Sequence, residues 1–186
     1  MSISDKNKWN QKYKSNPKMP TNIIDIVKEY APLAKGKDAL DIACGMGRHS
    51  IYLASLGFRV EALDISPIAL KSLNEIENIT TKEVDFDNYQ LQKDRYDLIV
   101  CVNFLNRKLF PQIFNALKSG GLFIFESFIY HPNNTKAPSN RSFLLEQGEL
   151  EATVAKEYKT LHIKEFWDRG VLGDKLFKGS FVGYKL

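Results

Sequence analysis

The chain has 186 residues, 44% of them hydrophobic, 26% charged and 12% aromatic, which fits one compact domain with its own core and argues against global disorder. No apolar run approaches the ~20 residues that span a bilayer, the basic start MSISDKNKWNQKYK lacks the apolar stretch of a secretory signal, and Cys44 and Cys101 are too few for a disulfide scaffold or a four-ligand zinc site. The net charge of +4 is unevenly spread, since residues 1–37 hold eight lysines against Asp5, Asp25 and Glu29. That leader is either a solvated face or a surface for an anionic partner, and no arginine-rich or aromatic–basic repeat supports nucleic-acid binding. A cytoplasmic protein, monomeric or weakly dimeric, is expected.

Helix-period and strand-like segments alternate along the chain, the pattern of an α/β fold on a mostly parallel sheet. Residues 4–14 read as a short helix with Trp9 and Tyr13 one turn apart on one face, ended by Pro17 and Pro20. A second helix is expected over 21–31, where Ile23, Ile26, Val27 and Tyr30 keep helical spacing. Residues 39–43 form strand one, 47–56 a helix stopped by Gly57, and 58–63 strand two. Ser66-Pro67 starts another helix, serine as N-cap and proline in the first turn. Strand three is weak, residues 79–84, and strand four is YDLIVCV, residues 96–102. A helix over 107–117 is broken by Ser119-Gly120-Gly121, and strand five runs from Leu122 to Phe128. A polar loop spans 130–141, and a helix is expected around 143–157. Two strands near 160–167 and 176–186 lack a helix between them, which predicts an antiparallel hairpin. The expected fold is a Rossmann-like, doubly wound α/β/α sandwich on a seven-stranded sheet, a single domain. It divides into an N-terminal lid and helix (1–35), a cofactor-binding core (36–128) and an acceptor side (129–186).

Three strand ends carry the chemistry. Asp41-Ile42-Ala43-Cys44-Gly45-Met46-Gly47-Arg48 leaves a strand and enters a helix; small residues let the backbone approach a ligand, and a helix N-terminus offers free N–H groups. Strand two ends in Asp64, 17 residues after Gly47, where a carboxylate either accepts both hydroxyls of a ribose or supplies negative charge to the next helix. Strand three ends in Asp85-Phe86, either an adenine-amino acceptor with a packing neighbour or an ordinary turn aspartate. Together they describe an adenosine pocket. The sequence Gly45-Met46-Gly47-Arg48-His49-Ser50 lacks the third glycine of a dinucleotide fingerprint. Asp41 beside the turn disfavours a pyrophosphate and suits an ammonium group. The reading is S-adenosylmethionine rather than NAD.

DIACGMGRHSIYLASLGFRVEALDIS resembles the cofactor-binding half of a class I S-adenosylmethionine-dependent methyltransferase. It is most similar to small proteins related to the tellurite-resistance methyltransferases, whose glycine-loop arginine and following serine match Arg48 and Ser50. The resemblance covers about residues 9–88, and YDLIVCVNFLNRKLF with LKSGGLFIFESF continues the general superfamily pattern. It implies that Asp41, Ala43, Cys44, Gly45 and Gly47 line the methionyl and ribose side, with Arg48 in the same loop. It implies Asp64 on the ribose, Ile65 against the adenine, Asp85 and Phe86 at the adenine edge, and Cys101, Val102 and Asn103 beneath the sulfonium. Tyr13 would close over the site with Trp9 beside it, aromatic faces suiting a cation; plain docking on the core is the alternative. Ala43 stands where the family's first glycine is usual, which a negative φ would accommodate. S-adenosylhomocysteine would be the product.

On the acceptor side, Phe104 lies in Asn103-Phe104-Leu105-Asn106, and Arg107 either binds an anionic substrate or holds a local hydrogen-bond network. His131, in the polar loop, is a candidate substrate or proton-relay residue. His49 reads as a first-turn residue and His162 as structural; the histidines are not at metal-ligand spacing. The acceptor expected is a small molecule, a thiol or chalcogen anion in first place. The alternatives are a nucleic-acid or protein methyltransferase and a cofactor-binding module without turnover. No catalytic base stands out.

Overall fold

The computed structural model describes residues 3–18, 22–154, 156–169 and 173–186; Pro20 and Thr21, which fall in the expected first break and second helix, lie outside them. Seven strands form one sheet: β1 (Asp38–Ile42), β2 (Arg59–Asp64), β3 (Ile79–Glu83), β4 (Tyr96–Val102), β5 (Leu117–Phe128), β6 (Tyr158–Arg169) and β7 (Lys175–Lys185). Their order is β3-β2-β1-β4-β5-β7-β6. The first five run parallel, while β7 inserts between β5 and β6 and is antiparallel to both. The expected C-terminal hairpin is therefore present, with its second strand innermost. The strand order reverses between β1 and β4, where a doubly wound sheet opens a crevice at its carboxyl ends.

Strict alternation along the strands produces two cores. Leu40, Ile42, Ile99, Phe123, Phe125 and Phe181 face one side and meet Phe110 and Ile113 of α5 (Leu109–Ala116). Ala39, Val100, Ile124 and Val182 face the other and meet Ile26 and Val27 of α2 (Asp25–Tyr30) and Leu53 of α3 (Arg48–Ser55). Among the described residues, no helix is long and apolar enough to cross a membrane.

Several expected boundaries move, each for a local reason. The second helix is shorter than 21–31 because Pro32 turns its end into a three-residue 3-10 turn, Ala31–Leu33. The helix begun by Ser66-Pro67 is one turn, α4 (Pro67–Leu70), with the Ser66 hydroxyl accepting from the Ala69 N–H at 3.2 Å. β5 starts at Leu117, not Leu122: Leu117 pairs with Tyr96, and Ser119-Gly120-Gly121 lies inside the strand at a register shift. The helix expected over 143–157 is a turn at Arg141–Phe143 and a separate α6 (Glu149–Val154), parted by Gly148 at φ 76°. The first helix, α1, spans Ile3–Ser15.

Candidate functional site

The turn between β1 and α3 is shaped by what lies above and beside it. Gly45 and Gly47 have φ of 57° and 83°. A Cβ on Gly45 would stand 2.7 Å from the Tyr13 hydroxyl, and one on Gly47 2.2 Å from a Leu73 methyl. The turn is thus glycine both for its left-handed backbone and to admit α1 and the segment after α4. The Gly45 N–H donates to Asp64 Oδ2 at 2.8 Å, and the Ser66 N–H donates to Asp64 Oδ1 at 2.8 Å. One carboxylate therefore ties the β1 turn to the β2 turn, and the helix-start alternative for Asp64 is realised beside any ligand role.

Ala43 departs from expectation. Its φ is +55°, not negative, so an L-side chain occupies the conformation that glycine adopts freely, a strain of about 1–2 kcal/mol. Asn103, at the end of β4, also has positive φ, 58°, and its N–H donates to the Glu126 carbonyl at 2.7 Å. The two left-handed residues flank the point where strand order reverses, and strained backbone of this kind concentrates at functional sites.

Two buried carboxylates dominate the electrostatics. Asp41 is 1% exposed, accepts from the Ser50 hydroxyl at 2.6 Å, and is pushed up to about 7 by burial, with Asp64 adding to the rise. Burial also raises Asp64 against the pull of its backbone donors. Arg48 lies within electrostatic reach of Asp41, Glu126 and Tyr13 and donates to the Asn22 carbonyl at 3.2 Å. Such a site favours a ligand that brings positive charge.

Helix α1 crosses this opening. Tyr13 and Trp9 stack at 5.8 Å between centroids, and Lys12 lies 4.3 Å over the Trp9 ring. Asn10 Oδ1 accepts from the Ser66 hydroxyl at 2.6 Å, and Lys6 pairs with Glu83. Burial, with Asp64 and Cys44 nearby, holds the Tyr13 phenol above its usual range. The helix docks by polar contacts, with Tyr13 directed at the glycine turn and Trp9 stacked on Tyr13.

The remaining expected residues separate into two groups. Ile65 and Cys44 are buried beside the turn. Asp85 follows β3, is half-buried, and accepts from the Asp87 N–H at 3.0 Å and the Asn88 amide at 3.2 Å, as a turn aspartate does. Phe86 is 2% exposed and packs on Phe104 at 5.4 Å, so both rings belong to the core beneath the rim. Cys101 is buried with its thiol pushed up by burial, and burial also raises Cys44, so neither is a thiolate nucleophile. Arg107 has the local role of its two alternatives. It grips Glu149 through Nε and Nη2 at 2.6 and 2.8 Å and donates to the Ser142 and Leu144 carbonyls at 2.9 Å each. His131 joins an aromatic group with Trp167 (4.8 Å) and Phe177 (5.6 Å). It also lines a surface cavity of about 440 Å³ with Tyr130 and Arg141. His49 does lie in the first turn of α3, and burial pushes it down to about 3, so it is neutral. His162 bonds Ser180 at 2.8 Å.

Sequence reasoning missed one charged group at the site's edge. Glu126 on β5 and Lys178 on β7 form a buried pair at 3.0 Å, and Lys178 also reaches Asp168 on β6 at 2.7 Å. The available signal was a lone carboxylate in the apolar run LFIFESF and a lone lysine in LFKGSF.

The comparisons with known proteins meet this geometry. The sequence matches the family profile described as "Tellurite resistance protein TehB" over residues 1–167. The chain belongs to the TehB family. It is 33% identical over 105 residues to the probable S-adenosyl-L-methionine-dependent methyltransferase TehB of Haemophilus influenzae, a match covering 52% of this chain and 35% of that protein. The match thus spans about a third of that relative's length. The fold is similar to the crystal structure of H. influenzae TehB, with a TM-score of 0.76 and 24% identity, covering 97% of this chain and 67% of that one. It is also similar to the Haemonchus contortus phosphoethanolamine N-methyltransferase 2 solved with S-adenosylhomocysteine, with a TM-score of 0.65 and 19% identity, covering 86% and 51%.

Proposed function

We propose that this TehB-family chain is an S-adenosylmethionine-dependent methyltransferase acting on a small-molecule acceptor, a soft nucleophile such as a thiol or chalcogen anion, in the cytoplasm. The observation that carries it is the pairing of a left-handed glycine turn, roofed by Tyr13 of an aromatic pair, with two buried carboxylates at the strand-order reversal. That donor set fits the cofactor. Asp41 would hold its ammonium, Asp64 its ribose while fastening the Gly45 turn, Ile65 and the Asp85-Phe86 rim its adenine, and Tyr13 its sulfonium face. When bound, the cofactor supplies an electrophilic methyl group.

The chain's own contribution is positional. Residues 1–35 cover the site, 36–128 hold the cofactor and 129–186 orient the acceptor, within one domain. Holding nucleophile and methyl carbon in line at ~3–3.5 Å supplies most of the rate, and the closed roof excludes water while charge is lost. The test is a transfer screen with methyl-labelled cofactor against thiols, chalcogen oxyanions and small carboxylates, alongside calorimetry with S-adenosylhomocysteine. Labelled thiol or chalcogenide product is expected. Tight product binding with no small acceptor labelled would overturn the acceptor reading alone, and no binding would overturn the whole.

A further inference from the structure

Glu126 occupies a position that β5 need not make charged. It stands opposite Val102 in the β4–β5 ladder, and its own carbonyl holds the Asn103 N–H at 2.7 Å. It thus sits at the carboxyl end of β5, one strand from the β1/β4 crevice where this fold opens to ligands, within electrostatic reach of Arg48. The residue is 4% exposed. Oε1 accepts from Lys178 Nζ at 3.0 Å, and Oε2 makes no hydrogen bond among the described residues. Lys178 is fixed from its other side by Asp168 at 2.7 Å and lies 5.6 Å from the Phe128 ring. A buried carboxylate persists in charged form only where a cation compensates it, and this array supplies one while leaving an oxygen unbound.

We propose that Glu126 is the group that takes the proton from the acceptor, with Lys178 as the positioning residue that keeps it ionised and Asp168 as the one that holds Lys178 in place. The acceptor is then a neutral protic nucleophile, a thiol, rather than an oxyanion. This rests on the methyl-transfer reading above. The step balances: the acceptor sulfur forms a bond to the methyl carbon, and the carbon–sulfonium bond breaks with its electron pair left on the cofactor sulfur. The S–H proton passes to Glu126, which later releases it to water. An oxyanion would instead approach Glu126, Asp168, Asp41 and Asp64, whose charges Arg48 and Lys178 offset in part.

Three properties of the full chain test this. At pH 7, with 2-mercaptoethanol as probe, Glu126→Gln should lower transfer about 100-fold, the size of a lost general base. S-adenosylhomocysteine affinity by calorimetry should stay within about twofold. The deficit should shrink as pH rises toward the thiol's own pKa, because a preformed thiolate needs no base; a merely structural role gives no such recovery. Asp168→Asn, at a half-exposed position that disturbs folding less than changing Lys178, should shift the acidic limb of the pH–rate profile downward, because it removes a negative charge that faces Glu126. The groups facing Glu126 in that profile are Lys178, Asp168 and Arg48. Transfer by Glu126→Gln within about threefold of the parent, or selenite methylated in preference to the thiol, would overturn the proposal and leave the small-molecule reading standing. If no probe is methylated although product binds, that reading fails by itself. The proposal is then judged by ¹³C-carboxyl NMR of the product complex. A Glu126 resonance whose midpoint moves downward in Asp168→Asn supports it, and one indifferent to that change overturns it.

Discussion

On the β1–β3 side the contacts that shape the site are short in sequence. Ser50 reaches Asp41 across 9 residues and the Gly45 N–H reaches Asp64 across 19. On the β5–β7 side they are long: Arg107 reaches Glu149 across 42 residues and Lys178 reaches Glu126 across 52. The first side uses consecutive parallel strands, so each turn meets the turn of the next βα unit. The second depends on β7 returning antiparallel into the middle of the sheet, which brings Lys178 to Glu126, and on the loop before α6, which brings Glu149 to Arg107. On the proposed reading, cofactor binding draws on neighbouring units, whereas acceptor handling draws on long-range pairing. Substitutions should sort accordingly, into changes that alter binding and changes that alter folding.

The largest effect falls on the long-range side. Lys178→Met leaves Glu126 buried without its cation and should lower stability by about 3–5 kcal/mol in urea titrations at pH 7. The loss should be smaller at pH 5, where Glu126 can protonate, and adding Glu126→Leu should restore most of it. A single variant as stable as the parent would show that the pair is not buried as described.

On the cofactor side, Asp64→Ala should weaken S-adenosylhomocysteine binding by roughly 1.5–3 kcal/mol, the range for a charged hydrogen-bond acceptor. Unchanged affinity by calorimetry would remove Asp64 from the ribose. Asp41 supplies a pH signature there. Its pKa is raised to about 7 by burial from an ordinary 3.8, so the folded chain binds the extra proton between those values. Its contribution to stability is full below about pH 4 and is lost as pH rises through about 7, at no more than roughly 1.4 kcal/mol per pH unit. Asp41→Asn should flatten that slope in thermal melts, and a slope unchanged in the variant would assign it elsewhere.

The lid tests whether the cofactor side extends to α1. Isolated helices this short are marginal in water, and α1 docks through Asn10 and Tyr13. Hydrogen exchange over residues 5–18 should slow on adding S-adenosylmethionine, with Tyr13→Leu reducing affinity by about 1 kcal/mol, as for a lost cation–π contact. Protection equal in both states would make α1 a fixed part of the fold. The smallest effect is at Ala43. Ala43→Gly should raise stability by about 1 kcal/mol by relieving its left-handed backbone. A decrease would mean that the turn tolerates alanine without strain.

The legible part of the site was the part with local signals. Ser66-Pro67 announced a helix start and the Ser66 hydroxyl caps it. The spacing of Asp41, Gly45, Gly47 and Asp64 reported the two turns that meet. Arg107 could not be assigned in advance because its partner, Glu149, is brought near by a loop whose path no periodicity encodes. Ala43 misled for a related reason: its φ is imposed by the geometry of the turn, not by alanine's own preference.

The sequence by itself determined the alternation of strands and helices, the antiparallel C-terminal pair and the acidic and glycine-rich strand ends, since these follow from side-chain periodicity and turn chemistry. Tertiary structure alone decided that β7 lies between β5 and β6, that Tyr13 roofs Gly45, and that Asp168 reaches the buried Glu126–Lys178 pair. Each of these depends on which distant segments exclude water from one another, and burial of that kind is a property of the assembled sheet rather than of any stretch of chain.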